Sequence, residues 1–242
     1  MRRQRASAMR FLIVNADDFG ASRGINRGIL EAARAGVVSS ASLLVNSPWS
    51  EEAALLSRAA PGLSVGLHAD LTRSQRGLAS DSPASDSLGH LDFELRGQLI
   101  RFEKLMGRLP THVDSHHNVH RDPRLLPCFL RLAQEYGLPL REHSPVRYFS
   151  KFYGQWGGET HLEQISAGNL ARMFETEIEE GVTELSCHPG YVDPDYPTGY
   201  AAEREAELRT LCAPRIRQAL EAESIELISY HDLGKVLVSS LS

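Results

Sequence analysis

The chain has 242 residues, of which 42% are hydrophobic and 24% are charged. This composition is typical of a globular protein, and the length suits one α/β domain with a sizeable core. The net charge of -5 gives no indication of a nucleic-acid partner or of binding to an anionic membrane surface. No stretch approaches the roughly 20 apolar residues of a membrane span.

The cysteines and the start of the chain bear on its compartment and domain organisation. Cys128, Cys187 and Cys212 are far apart and form no CxxC pair, which favours a reduced, cytoplasmic compartment. The first residues are basic, and no apolar segment of secretory length follows them. We therefore expect residues 1–8 to be a disordered leader and residues 9–242 to form a single domain.

The first third of the chain alternates short apolar runs with helical patterns. The pattern predicts strands over residues 11–14, 37–45 and 63–67, separated by helices over residues 26–35 and 50–60. Gly36 and the pair Pro61-Gly62 end the two helices. Such alternation is typical of βαβ units with a parallel sheet.

The rest of the chain continues the alternation and adds two loops. Residues 73–90 are rich in Ser, Gly and Asp, and residues 143–158 are aromatic, basic and Gly-rich, so both are predicted to be loops over a ligand site. Helices are predicted over 91–106, 123–136, 161–180 and 201–222, with a break near Pro214, and strands over 111–114, 138–141, 183–187 and 225–229. A tail helix starts at Leu233. About seven strand–helix units predict a deformed, TIM-like (β/α) barrel.

Polar residues recur where the predicted strands end. Four histidines lie within residues 111–120, and the other positions are Asp17, Asp18, Asn46, His68, Arg141, His188 and residues 230–232. In a (β/α) barrel these ends meet at one mouth. Two adjacent carboxylates are costly to bury without a counter-charge. The joint pattern therefore predicts a metal or acid–base site at the end of the first strand.

A carboxylate and two histidines can hold a divalent ion with open coordination positions. Zn²⁺ accepts such ligands, Mg²⁺ prefers oxygens and keeps its waters, and non-haem Fe(II) uses the same ligand types. His68 and Asp70 have the spacing found in Fe(II) oxygenases, so an oxygenase stays open beside a hydrolase. A non-catalytic sugar- or metal-binding barrel is a third alternative. The Walker pattern is absent, and no G-x-G-x-x-G follows the first strand.

Five segments carry a resemblance to a known family. They are LIVNADDFG (12–20), VGLHADLT (65–72), PTHVDSHHNVH (110–120), LSCHPG (185–190) and SYHDL (229–233). In this order they resemble the YdjC-like carbohydrate deacetylases, the chitooligosaccharide and hopanoid-associated deacetylase group. The resemblance implies a deformed (β/α) barrel and metal-dependent removal of an acetyl group from an N-acetylated sugar. It also suggests a homodimer.

The resemblance further implies a role for each site residue. Asp18, His68 and His116 match the family's metal ligands, for which Mg²⁺ is the expected ion and Zn²⁺ the alternative. Asp17 matches the general base, and His188 matches the second acid–base residue, expected as an imidazolium that protonates the leaving amine.

Two further positions complete the comparison with the family. Arg141 matches an arginine that orients Asp17. Asn118 departs from the pattern, because the family commonly has a third histidine at this position. We expect the change to affect the polar network around the site and the fit of the substrate, and to leave the metal site intact. A non-catalytic module would need neither a base nor an acid, so Asp17 and His188 together argue for an enzyme.

Five aromatic residues could stack on sugar rings, and we expect most of them to serve in packing instead. They are Trp49, Tyr148, Phe152, Tyr153 and Trp156.

Overall fold

The computed structural model describes residues 9–77, 85–194 and 196–239. The predicted leader, residues 1–8, lies outside the described residues. Strands run over Arg10–Phe19 (β1), Ser40–Leu43 (β2), Ser64–Ala69 (β3), Val113–Ser115 (β4), Arg147–Phe149 (β5), Gln155–Trp156 (β6), Glu159–Thr160 (β7), Gly181–Cys187 (β8) and Ile225–Leu227 (β9). Within the described ranges, no helix is both long and apolar enough to cross a membrane.

Helices alternate with the strands along most of the chain and pack against several of them. They run over Arg23–Ala35 (α1), Ser50–Ser57 (α2), Thr72–Gly77 (α3), Ser85–Met106 (α4), Leu126–Tyr136 (α5), Ala167–Glu177 (α6), Ala201–Leu211 (α7), Pro214–Ala222 (α8) and Leu233–Ser239 (α9). A short 3₁₀ segment, His116–Arg121, follows β4. The predicted break near Pro214 is confirmed, because the long helix divides into α7 and α8 there.

The main sheet of the described residues has seven strands in the order β4-β3-β2-β1-β8-β5, with β9 also paired to β1, and β6 and β7 form a separate two-stranded sheet. All pairings within the main sheet are parallel. β8 runs along one edge of β1, and the other edge is shared between β9 at residues 10–12 and β2 at residues 15–19. The predicted α/β class and deformed, TIM-like (β/α) barrel are confirmed, in the form of a curled half-barrel.

β1 lies at the centre of this sheet because both of its faces are buried. Leu12, Ile13 and Val14 have no exposed surface, as expected for a parallel strand covered on both sides. The parallel arrangement brings the carboxyl ends of β1, β2, β3, β4 and β8 to one edge of the sheet. The polar residues that end these strands are therefore neighbours in space.

Three sequence predictions need correction. The stretch 73–90 is not a loop throughout: α3 covers 72–77 and α4 already begins at Ser85, while residues 78–84 lie outside the described residues. Packing of Leu88 and Leu91 against the core outweighs the weak helix propensity of Ser and Gly there. Residues 138–141 make only an isolated bridge between Val113 and Leu140. The predicted loop 143–158 contains β5 and β6.

Candidate active site

A bulge at the end of β1 turns two neighbouring carboxylates toward one cavity. The pairing with β2 joins Ala16 to Ala41 and resumes at Phe19 and Leu43, so β1 has one extra residue between these points. Asp18 has a φ of 68°, in the left-handed region. In a regular strand adjacent side chains point to opposite faces. The bulge breaks this alternation, and both Asp17 and Asp18 line the cavity.

The cavity has a volume of about 510 Å³ and lies at the carboxyl edge of the sheet. Its polar wall comes from the strand ends and the 3₁₀ segment, and its aromatic wall from tyrosines in β5 and in the segments that precede β6 and α7. The lining residues are Asp17, Asp18, His68, Ser115, His116, His117, Asn118, Tyr148, Ser150, Tyr153, Ser186, His188, Tyr196, Pro197, Thr198, Tyr200 and Arg204. Of the five aromatics considered from the sequence, only Tyr148 and Tyr153 are in this lining.

Asp18, His68 and His116 converge on one point of the cavity. Asp18 Oδ1 lies 3.4 Å from His68 Nε2 and 3.1 Å from His116 Nδ1. The three ligand atoms lie within 4.8 Å of one another. One carboxylate oxygen and two imidazole nitrogens form a donor set that suits a divalent cation with open positions. These residues therefore fit the metal that the family resemblance implies.

Contacts behind His68 support this arrangement. Its Nδ1 lies 2.7 Å from Asp114 Oδ1 and 3.3 Å from Ser42 Oγ. A carboxylate that accepts from one ring nitrogen fixes the tautomer and leaves the other nitrogen free to bind a metal. Asp17, His68 and Asp114 also form a group within ligand distance. We favour the first group, because Arg141 occupies both oxygens of Asp17 and Asp114 already holds Nδ1 of His68. In Asp18, by contrast, Oδ1 faces both histidines and Arg204 contacts only Oδ2.

Asp17 is held by the fully buried Arg141. Arg141 donates from Nη1 to Asp17 Oδ2 at 2.9 Å and from Nη2 to Asp17 Oδ1 at 2.8 Å. The same guanidinium donates to Glu184 Oε1 and lies 2.7 Å from Asp114 Oδ2. Burial alone would raise the pKa of Asp17, but the charge of Arg141 brings it below the ordinary value. Asp17 is therefore an ionised carboxylate with a fixed orientation.

His188 faces Asp17 across the cavity. Its Nε2 lies 4.0 Å from Asp17 Oδ2, and its Nδ1 has no hydrogen-bond partner among the described residues. Burial lowers the pKa of His188 to about 4, despite the opposing charges of Asp17 and Asp18. This lowered pKa disagrees with the sequence-based expectation of a resting imidazolium and favours a neutral ring that can accept a proton.

The histidine cluster at 111–120 divides between the cavity and the core. His117 lines the cavity and its ring packs on His116, with centroids 3.9 Å apart. His120 is buried and contacts Ser115 and Glu142, so it serves the local fold. Asn118, the departure from the family pattern, lines the cavity and accepts a 3.5 Å hydrogen bond from Arg141.

Asp70 lies outside the metal group. It is exposed, and its Oδ1 accepts a 2.9 Å hydrogen bond from the N–H of Thr72. The groupings within ligand distance in the described chain do not include it. Together with the parallel sheet, this placement removes the support for an Fe(II) oxygenase built on His68 and Asp70.

Sequence reasoning overlooked two features near the end of β1. Arg204, in the first turn of α7, is 5% exposed and reaches Asp18, although the sequence around it is that of an ordinary charged helix. Residues 20–24 also match G-x-S-x-G, the pattern of a nucleophile elbow. Ser22 is buried, however, and its hydroxyl accepts from the N–H of Ile25 at 3.1 Å. It caps α1 and does not face the cavity lining.

The sequence profile of the YdjC-like protein family matches residues 11–222. The chain belongs to this family. It is 37% identical to the chitooligosaccharide deacetylase of Serratia marcescens, over 93% of this chain and 99% of that protein. It is 38% identical to the carbohydrate deacetylase of Geobacillus stearothermophilus, over 94% and 99% of the two chains.

Solved structures share the fold of this family member. A protein from Enterococcus faecalis superposes with a TM-score of 0.80 at 29% identity, over 93% of this chain and 99% of that one. A family 4 carbohydrate esterase from Streptomyces lividans, solved with acetate, superposes with a TM-score of 0.57 at 16% identity, over 92% and 93%. The second similarity concerns the fold alone.

Proposed function

We propose that this protein is a metal-dependent hydrolase that removes the acetyl group from an N-acetylated carbohydrate. The observation that carries the proposal is one cavity that joins a metal-type donor set to an ionised carboxylate and a neutral imidazole. Asp18, His68 and His116 form the donor set, and Asp17 and His188 face each other beside it. Similarity to named carbohydrate deacetylases over nearly the whole chain supports the same conclusion.

In this proposal Asp18, His68 and His116 hold the ion. When bound there, a divalent cation supplies Lewis-acid polarisation of the acetyl carbonyl and lowers the pKa of water. We expect Mg²⁺, with Zn²⁺ as the alternative. The proposal also retains the predictions of one catalytic domain over residues 9–242, a cytoplasmic location and a homodimer.

The chain's own residues manage the protons. Asp17 takes the proton of the attacking water as the water oxygen bonds to the acetyl carbon. Because His188 starts neutral, it must receive a proton before it can protonate the amine that leaves when the C–N bond breaks. The 4.0 Å gap between His188 Nε2 and Asp17 Oδ2 is longer than a hydrogen bond, and a bridging water can carry the proton across it. The products are acetate and the free amino sugar.

A direct test measures acetate release from a panel of N-acetylated mono- and oligosaccharides. The protein is first stripped with a chelator and then supplied with Mg²⁺ or Zn²⁺. We expect release with at least one sugar, loss of release after stripping, and recovery on adding the ion. Sugar binding without acetate release under both ions would favour the non-catalytic barrel and overturn the proposal.

A further inference from the structure

Arg204 reaches the site from α7 and contacts the proposed metal ligand Asp18. Its Nη2 donates to Asp18 Oδ2 at 2.5 Å, whereas the two histidines face the other oxygen, Oδ1. We propose that Arg204 is a positioning residue that occupies one oxygen of Asp18, so that only the other oxygen binds the ion. This inference rests on the proposed function, because it concerns the same metal site.

The geometry assigns Arg204 an orienting role because both ends of the contact are fixed. Asp18 and Arg204 are 2% and 5% exposed, so the pair has little contact with solvent. A buried charge-assisted hydrogen bond of this kind is among the stronger ones in proteins. The positive charge of Arg204 also offsets the cost of burying the carboxylate of Asp18.

Arg204 also connects the metal ligand to His188. Its Nη1 donates to the backbone carbonyl of His188 at 3.4 Å, and its own carbonyl accepts from the N–H of Gly190 at 3.2 Å. Glu207, one turn further along α7, accepts from the N–H of His188 and from Tyr200 Oη at 2.6 Å. Neighbouring turns of α7 thus hold the peptide of His188 from both sides. Helix α7 therefore holds the backbone of His188 in a fixed position relative to Asp18.

Two effects of removing Arg204 have opposite signs. Loss of a positive charge beside the ion would strengthen cation binding by Coulomb attraction alone. Loss of orientation would weaken binding, since residues that hold a ligand in place commonly contribute 10- to 100-fold to metal affinity. The direction of the change therefore separates a positioning residue from a mere counter-charge.

The test compares Arg204→Met, Arg204→Lys and wild type by calorimetric titration of the metal-free proteins with Mg²⁺ and Zn²⁺. We expect R204M to bind about 10- to 100-fold more weakly. R204K should lie between R204M and wild type, because one ammonium group cannot hold Asp18 and the His188 carbonyl together. The matched control is Arg209→Met on the same helix, because the side chain of Arg209 is 68% exposed and pairs with Glu205 at 3.9 Å.

A second measurement reports on coordination and not on affinity. The visible absorption of Co²⁺ in the site depends on the number of ligands, so R204M should shift it and R209M should not. Tighter or unchanged binding by R204M, or wild-type affinity in R204K if R204M does not fold, would overturn the inference while leaving the proposed function standing. A wild-type protein that binds no divalent ion would overturn both.

Discussion

Arg141 places two hydrogen bonds on Asp17, one on each carboxylate oxygen, at 2.9 and 2.8 Å. The two residues are 124 positions apart in the chain and both are buried. The paired contact keeps Asp17 ionised and prevents its carboxylate from rotating toward the metal group. Asp17 and its neighbour Asp18 can therefore perform different tasks although they are adjacent in sequence.

Replacing Asp17 with Asn should abolish most turnover and spare the metal. A carboxamide cannot accept the water proton, and general base catalysis is worth about 10²- to 10⁴-fold. Asp17 is not in the favoured donor set, so the affinity for the ion should change little. Acetate release and calorimetric titration on the same sample measure the two effects. Deacetylation at the wild-type rate would show that Asp17 is not the base.

Replacing Asp114 with Asn should weaken metal binding without touching a ligand. Asp114 has no exposed surface, and its Oδ1 lies 2.7 Å from His68 Nδ1. An amide oxygen holds the imidazole less strongly than a carboxylate, and such losses commonly cost 10- to 100-fold in affinity. Asp92→Asn is the matched control, because Asp92 pairs with Arg96 on the surface of α4. Equal affinity of D114N and D92N for the ion would contradict the assigned role of Asp114.

Replacing Gly66 with Ala should destabilise the fold under the site. A Cβ atom at this position would lie 2.3 Å from the Cε1 of His112, whose ring stacks on Tyr230 with centroids 3.9 Å apart. Overpacking of this kind costs about 1–3 kcal/mol. At Gly97 in α4, an added Cβ atom would meet no described atom within 4 Å beyond the adjacent helix backbone. Gly97→Ala should therefore stabilise the protein by about 0.5–1 kcal/mol. Urea denaturation of both variants and of wild type measures the free energy of unfolding, which should fall in Gly66→Ala and rise in Gly97→Ala.

His112 should make the fold less stable in acid. Burial lowers the pKa of His112 from 6.5 to about 4, so between these values the unfolded chain binds a proton that the folded chain does not. The free energy of unfolding should therefore fall as the pH decreases from 6.5 to 4, by about 3 kcal/mol from this residue alone. In His112→Asn this part of the dependence should vanish. Urea denaturation of wild type and variant at several pH values between 4 and 6.5 measures this dependence. If the free energy of unfolding changes with pH equally in both proteins, His112 is not its source.

The strand ends and the identity of most site residues could be predicted from the sequence. Apolar runs that stop at Asp17, His68 or His188 predict buried parallel strands, and the carboxyl ends of such strands meet at one edge. The family motifs then assigned a role to each residue. Strand ends and family motifs can be recognised in this way because they are local properties, which a single sequence carries in full.

The tertiary structure decided what depends on distant parts of the chain. Regular alternation would send Asp17 and Asp18 to opposite faces, and only the bulge against β2 turns both into the cavity. Arg204 could not be recognised as a site residue from the sequence, because its contact with Asp18 exists only when α7 packs beside β1. The lowered pKa of His188 comes from burial, which outweighs the opposing charges of two nearby carboxylates. Local pattern fixed which groups are present, whereas long-range packing set their direction, partners and charge.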